Sequence, residues 1–326
     1  MHIFNSIESL KKIIGKRSLN IALGNFDGVH LGHQALIAGV VKSARLRDRL
    51  GVVVSFDPHP LQYFAKSGDF KKIDSPTMRR RLLAALGVDV LLELKFDESL
   101  SSLSAQQFLE LLTAAGNLRQ ISVGVDFRFG KGRLGDVQFL GHFCEDKGIE
   151  AIIVEPVHVD DLVASSSQVR HWLRQGDVEK AAKMLGRSFI LMGTVVHGQK
   201  VGRTIGFPTA NIACHDQLIP GDGVYAGTLT VTSEVSSQLR GNNEFACVIN
   251  IGYRPTRGEA KKDASVEAHV FAIQDSDFDL YDQPVELKFI SRLRDEKKFP
   301  DLDALKRQIA VDIECAKKKL KDLVRL

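Results

Sequence analysis

Two imidazoles three residues apart, His30 and His33, end the string GNFDGVHLGH that runs from Gly24. Gly28 and Gly32 allow the backbone there to approach a ligand closely. A helix starting at this point would add free N–H groups and a positive dipole end. Histidines so placed could donate hydrogen bonds to charge that develops on a phosphate during nucleotidyl transfer. In that reaction positioning and charge stabilisation do most of the work. The same pair could instead be a cap and a packed side chain at a helix start. No third residue at metal-ligand spacing accompanies them.

A second string, GQKVGRTIGFPTANI, carries glycines at 198, 202 and 206, enough to bring main-chain N–H groups to phosphates. It lacks the glycine-lysine order of a P-loop and the helix that follows one. After Pro208, Thr209 and Asn211 offer two side-chain oxygens one residue apart. Mg²⁺ takes oxygen ligands, few of them from protein, so the pair could share it with ATP phosphates. Composition alone favours a turn here.

The elements that must hold these strings differ between the two halves. In the first, strands expected at 19–24, 51–56, 89–94, 120–124 and 150–155 alternate with helical patterns at 32–49, 77–86, 105–115 and 137–147. Such alternation implies a parallel sheet wrapped by helices, with ligands at the C-terminal strand ends. Two short helices, 167–174 and 178–185, close that half. Beyond Gly186 the rhythm changes to strands at 187–196, 224–232, 244–251, 265–272 and 284–291, separated by Gly-, Asn- and Asp-rich turns. A small antiparallel barrel follows from that pattern. A last helix begins after Asp301, with Leu302, Leu305, Ile309, Ile313, Ala316 and Leu320 as its apolar stripe. The expected domains are therefore 1–186 and 187–326. Arg79-Arg80-Arg81 reads as an exposed helix face, and Lys317-Lys318-Lys319 as a solvated helix end.

Composition agrees with two globular units. The chain has 326 residues, 44% hydrophobic and 26% charged, which excludes disorder and fibrous repeats. Lys+Arg 44 against Asp+Glu 40 leaves +4, too little to mark a dedicated nucleic-acid binder. The four cysteines (Cys144, Cys214, Cys247, Cys315) form no CxxC pair, so neither a zinc site nor a disulfide framework is expected. No apolar run reaches the roughly 18 residues a span requires, and no signal sequence opens the chain. A cytoplasmic protein is the expectation.

GNFDGVHLGH resembles the HxGH signature of nucleotidylyltransferases, in the form found in bacterial bifunctional riboflavin kinase/FAD synthetases. FDPHP (56–60), VGVDFRFGKGRLGD (123–136) and SSSQVRHWLRQGDVEKAAKMLGR (165–187) follow in that family's order. GRTIGFPTAN, with PGDGVYAG, NIGYRPT, SVEAHVF and LYDQPVEL behind it, resembles the riboflavin kinase module, so the likeness covers nearly the whole chain. The resemblance implies an α/β chain: an N-terminal Rossmann-like nucleotidyltransferase domain, then a six-stranded antiparallel β-barrel with a C-terminal helix. It further implies phosphorylation of riboflavin to FMN in the barrel, and transfer of AMP from ATP to FMN, giving FAD and pyrophosphate, in the first half.

Carried over residue by residue, the resemblance assigns His30 and His33 to the ATP phosphates, with Gly24, Asn25, Phe26 and Asp27 in the same nucleotide-binding turn. It puts His59, Asp126 and Phe127 at the flavin cleft, and Ser166, Ser167 and Arg170 on the nucleotide. In the barrel, Gly202 and Gly206 would shape the phosphate loop, Thr209 and Asn211 would hold Mg²⁺ and ATP, and Glu267 would take the ribityl hydroxyl proton. Without its motif, Glu267 reads as an exposed strand residue. The chain departs from the family in three places: Ser167 for the usual Thr, Gln168 where Arg is common, and Asp282 where Gly follows Leu-Tyr. The polar loop 257–264 is of variable type. Expected partners are riboflavin, FMN, FAD and ATP, with no nucleic acid or membrane, for a monomer or weak homo-oligomer. Another nucleotidyltransferase with an accessory barrel, or a flavin carrier without catalysis, would not need His30, His33, Thr209, Asn211 and Glu267 together.

Overall fold

The computed structural model describes residues 1–65, 70–198, 206–214, 216–233, 243–254, 263–271 and 280–321. They divide into two compact units, 1–72 with 76–166, and 73–75 with 167 onward.

In the first unit the elements run β1 (His2–Phe4), α1 (Ile7–Ile14), β2 (Ser18–Leu23), α2 (Leu31–Leu46), β3 (Leu50–Asp57), α3 (Pro60–Phe64), α4 (Pro76–Ala85), β4 (Val90–Lys95), α5 (Glu98–Ser101), α6 (Ala105–Thr113), β5 (Asn117–Gly124), α7 (Val137–Lys147) and β6 (Glu150–Val154). A small hairpin of β7 (His158–Val159) and β8 (Leu162–Val163) follows. The six strands of the main sheet are all parallel, in the order β1-β4-β3-β2-β5-β6. Val52, Val53 and Val54 of β3 are all buried, because a parallel strand covered by helices on both faces hides both sets of side chains. One face packs Leu10, Ile14, Phe108, Leu112 and Leu140 from α1, α6 and α7; the other packs Ile37, Val40 and Leu83 from α2 and α4.

The strand order reverses between β2 and β5, so a crevice opens at their C-terminal ends. The two strings that leave those ends are the histidine turn and VGVDFRFG. The sequence pattern omits β1 and α1, since a three-residue edge strand has too little periodicity to register. It also places Arg79 on an exposed face, and the structure corrects this: Arg79 is 4% exposed, bound to Glu93 on β4 at 2.6 Å.

The second unit begins with α8 (Ser166–Arg174), from Ser167 onward, and α9 (Val178–Leu185). Asp177 caps α9 by accepting from the Lys180 N–H, and Gly186 ends it in the left-handed region at φ 67°. Strands β9 (Phe189–Val196), β10 (Ala210–Cys214), β11 (Gly223–Val231), β12 (Glu244–Arg254), β13 (Asp263–Val270) and β14 (Pro284–Arg294) close an antiparallel barrel in the order β10-β13-β12-β11-β14-β9. Phe189, Tyr225 and Phe289 fill its interior. Ile73–Ser75 belongs to this unit: the Ile73 carbonyl accepts from Gln217, and Asp74 takes the Arg187 guanidinium at 2.8 Å. The sixth strand, β10, lies in the string whose composition favours a turn. Its residues are mostly small, and Ile212 is the one it buries.

The last helix, α10 (Leu302–Leu320), starts at Asp301, whose carboxylate accepts from the Ala304 N–H. Ala316 and Leu320 pack on Val224, Ala226, Ala246 and Val248 of the barrel's outer surface. Leu302, expected in the stripe, is 58% exposed, while buried Asp312 joins the covered face by pairing with Arg294 at 2.7 Å.

Candidate functional site

The histidine turn is a strained connection. Phe26 (φ 50°) and Val29 (φ 34°) take left-handed backbone that side chains rarely adopt, beside Gly28 at φ 86°. Phe26 is fully buried, which anchors the turn to the core. His30 is the N-cap of α2: its Nδ1 accepts the His33 N–H at 3.4 Å, leaving the ring proton on Nε2. A side chain at Gly32 would press on the His30 ring and the Ala164 carbonyl. The His30 and His33 rings stack with centroids 3.6 Å apart, and Phe26 meets His33 edge-on. Burial first, then His30 and His59, hold the His33 pKa well below the ordinary histidine value. Its Nδ1 is buried without a hydrogen-bond partner among the described residues.

Gly24 donates to the Val54 carbonyl at 3.2 Å, and the Asn25 carbonyl accepts from Ser55 Oγ at 3.1 Å. Buried Asp27 presents its carbonyl to Ser166 Oγ at 2.8 Å. Ser166 opens α8, on which Ser167 and the largely buried Arg170 follow. His59 is buried too; its Nδ1 accepts from the Leu61 N–H, and its ring stacks on Phe70. The structure thus brings His30, His33 and His59 into one electrostatic group.

Beside the turn lies a cavity of about 400 Å³, lined by Asn25, Phe56, Phe64, Phe96 and Phe127, with Arg128 and Arg133 also on its wall. Phe127 stacks on Phe129. Asp126 is exposed and is not part of this lining. Phe64 and Phe96 carry no motif in the sequence that marks them for this cavity. A signal was present: 18 phenylalanines against one Trp and 4 Tyr, with Phe56 and Phe96 at the C-terminal ends of neighbouring strands.

In the barrel, Asn211 on β10 stands opposite Glu267 on β13, and Glu267 stands opposite Asn250 on β12. Paired residues of adjacent strands share a face with Cβ atoms about 5 Å apart, so the three form one polar row. Val266, Ala268 and Val270 point into the barrel, which puts half-buried Glu267 on its outer surface. Ser265 Oγ donates to Glu267 at 3.2 Å. Thr209 lies just before β10, and a Cβ at Gly198 would collide with the Asn211 amide. His269, unremarked in the sequence, lies against the Pro208 carbonyl with its Nδ1 at 2.8 Å. Only a ring N–H can bond a carbonyl, so Nδ1 carries the proton and fixes the chain entering Thr209. Gly206 has φ 86°; Gly202 falls outside the described residues, as does most of the loop 257–264. Asp282 takes φ 60°, a conformation that suits glycine and that aspartate tolerates.

An FAD synthetase family model matches residues 14–168, and a riboflavin kinase family model matches residues 185–320. The bifunctional riboflavin kinase/FMN adenylyltransferase of Buchnera aphidicola subsp. Schizaphis graminum is 33% identical over 98% of each chain. The protein of the same name from Escherichia coli K12 is 36% identical over 90% of each. A crystal structure described as a macrolide-efflux protein from Streptococcus pneumoniae has TM-score 0.82 and 31% identity, covering 94% of this chain and 96% of that one. Among the described residues, no helix here is long and apolar enough to cross a membrane. With both family matches in order and relatives of this identity over 90% or more of its length, the chain belongs to the bifunctional riboflavin kinase/FMN adenylyltransferase family.

Proposed function

We propose that the chain converts riboflavin to FAD at two sites, with phosphorylation assigned to 187–326 and adenylyl transfer to 1–186. What supports this reading is that each half gathers side chains suited to phosphate chemistry: stacked His30 and His33 at a helix start, and Asn211 in register with Glu267.

In the barrel Glu267 accepts the proton of the ribityl 5′-hydroxyl as the phosphoryl group arrives. A carboxylate suffices, because the transition state is loose and the alcohol loses its proton late. Among the described residues no group of three His, Cys, Asp or Glu side chains could hold a metal ion. The Thr209 hydroxyl and Asn211 amide oxygen fit Mg²⁺, which prefers oxygen and keeps most of its shell for water and phosphate. When bound, it neutralises charge on the ATP phosphates. Gly202 and Gly206 bring backbone N–H groups to those phosphates.

In the first half, His30 donates from Nε2 to the α-phosphate of ATP, and neutral His33 donates beside it. Gly24, Asn25, Phe26 and Asp27 form the turn that receives the nucleotide, with Ser166, Ser167 and Arg170 as further contacts. The phenylalanine-lined cavity takes the flavin ring: its volume and apolar wall suit a flat aromatic, and Phe127 can stack on it. His59 and Asp126, assigned to the flavin by the family resemblance, lie outside the cavity's lining. The protein works in the cytoplasm as a monomer or weak homo-oligomer, without nucleic-acid or membrane partners. Its four cysteines are free, in keeping with a reducing compartment.

The test is a product assay. Purified protein with riboflavin, ATP and Mg²⁺ makes FMN and then FAD, resolved by chromatography. Absence of both products overturns the proposal, and FMN without FAD overturns its first-half assignment.

A further inference from the structure

The Asn25 carbonyl, which sits between the histidine turn and the cavity, is the end of a buried charge network. Arg79 on α4 and Glu93 on β4 are 4% and 3% exposed at their side chains, and Nη2 of Arg79 donates to Glu93 Oε1 at 2.6 Å. The second carboxylate oxygen of Glu93 takes Arg80. Nη1 of Arg79 reaches Ser55 Oγ at 3.3 Å and the Asn25 carbonyl at 3.4 Å, while Ser55 donates to the same carbonyl at 3.1 Å. Ser55 and Glu93 face each other across the β3–β4 ladder, so the sheet sets the spacing of the whole relay.

A buried ion pair is a poor source of stability, because desolvation offsets most of its attraction. Its effect here is geometric. The two donors converge on the peptide that leads into Phe26, where the backbone is left-handed without being glycine. Strained backbone persists only where its surroundings over-determine it. Two residues later the Asp27 carbonyl is held by Ser166, so the turn is pinned at Asn25 and Asp27 before it reaches His30.

We infer that Arg79 is a positioning residue for adenylyl transfer: held by Glu93, and acting with Ser55, it fixes the Asn25 peptide and so the placement of the histidine turn against the flavin cavity. This rests on the adenylyltransferase function assigned to the first half. Arg79 touches neither substrate; it acts through Asn25.

The experiment uses the full chain and measures FAD formation from FMN and riboflavin phosphorylation on the same preparations. Arg79→Lys keeps a charge for Glu93, yet a single ammonium cannot span both Glu93 and the Ser55–Asn25 pair. Small positional errors are costly, so kcat for FAD formation falls about tenfold or more, with KM for FMN and ATP changed by less than about threefold. Riboflavin phosphorylation stays at the level of the unaltered chain. Ser55→Ala, a smaller change, gives the same kcat-against-KM split to a lesser extent. The double variant loses less than the product of the two, since both act on one carbonyl. Rates are taken per folded molecule, from melting curves of each variant. Wild-type kcat in both single variants, or losses matched by lost folded protein, overturns the inference. Failure of the unaltered chain to make FAD from FMN overturns the functional assignment beneath it, and is seen before any variant is made.

Discussion

Burial and two neighbouring imidazoles disfavour the charged form of His33. That has a consequence for stability. The unfolded chain protonates this histidine near the ordinary value of about 6.5, whereas the folded chain does so only at lower pH. The unfolded state therefore binds more protons in that window, and stability contributed by His33 is full above it and lost as the pH falls below about 6.5. Melting temperatures measured from pH 8 to pH 5 should drop more for the unaltered chain than for His33→Gln; equal pH dependence would contradict the burial argument. The histidines and Glu267 are legible in the sequence because their types and strings are distinctive. Arg79 is not, because charged side chains are usually solvated and only the fold reveals Glu93 beside it. The phenylalanines of the cavity are hidden similarly: they come from several elements, and their convergence is a property of the sheet.

At the scale of elements, the long alternating segments were readable and the short or mixed ones were not. β3 shows itself as a run of valines, and α10 by its cap and its step of three or four. β10 escapes, since a five-residue strand of mostly small residues after a proline has the composition of a turn, and pairing with β9 and β13 decides its conformation. The stripe on α10 is legible except at exposed Leu302 and at Asp312, a carboxylate on the covered side whose partner, Arg294, ends β14. Gln308 donates to Asp312 as well, at 2.9 Å. Removing the carboxylate leaves Arg294 largely buried and unpaired, so Asp312→Ala should cost about 3 kcal/mol in denaturant unfolding. A loss below about 1 kcal/mol would mean that the pair behaves like a surface ion pair.

For the molecule as a whole, a net charge of +4 names no partner, and the two proposed sites would rely on local turns and a few polar side chains rather than on a broad charge excess. The alternation of strands and helices and its change near Gly186 predict a parallel sheet followed by an antiparallel barrel, and the structure has both. Two independent sites on one chain should show reciprocal loss when each is altered. FMN and FAD are measured by chromatography for Glu267→Gln and His30→Ala, each supplied with either riboflavin or FMN in the presence of MgATP. Glu267→Gln should make no FMN from riboflavin yet form FAD from added FMN at the unaltered rate, and His30→Ala should accumulate FMN without FAD. Loss of both activities in either folded variant, or FAD formation untouched by His30→Ala, would contradict the account.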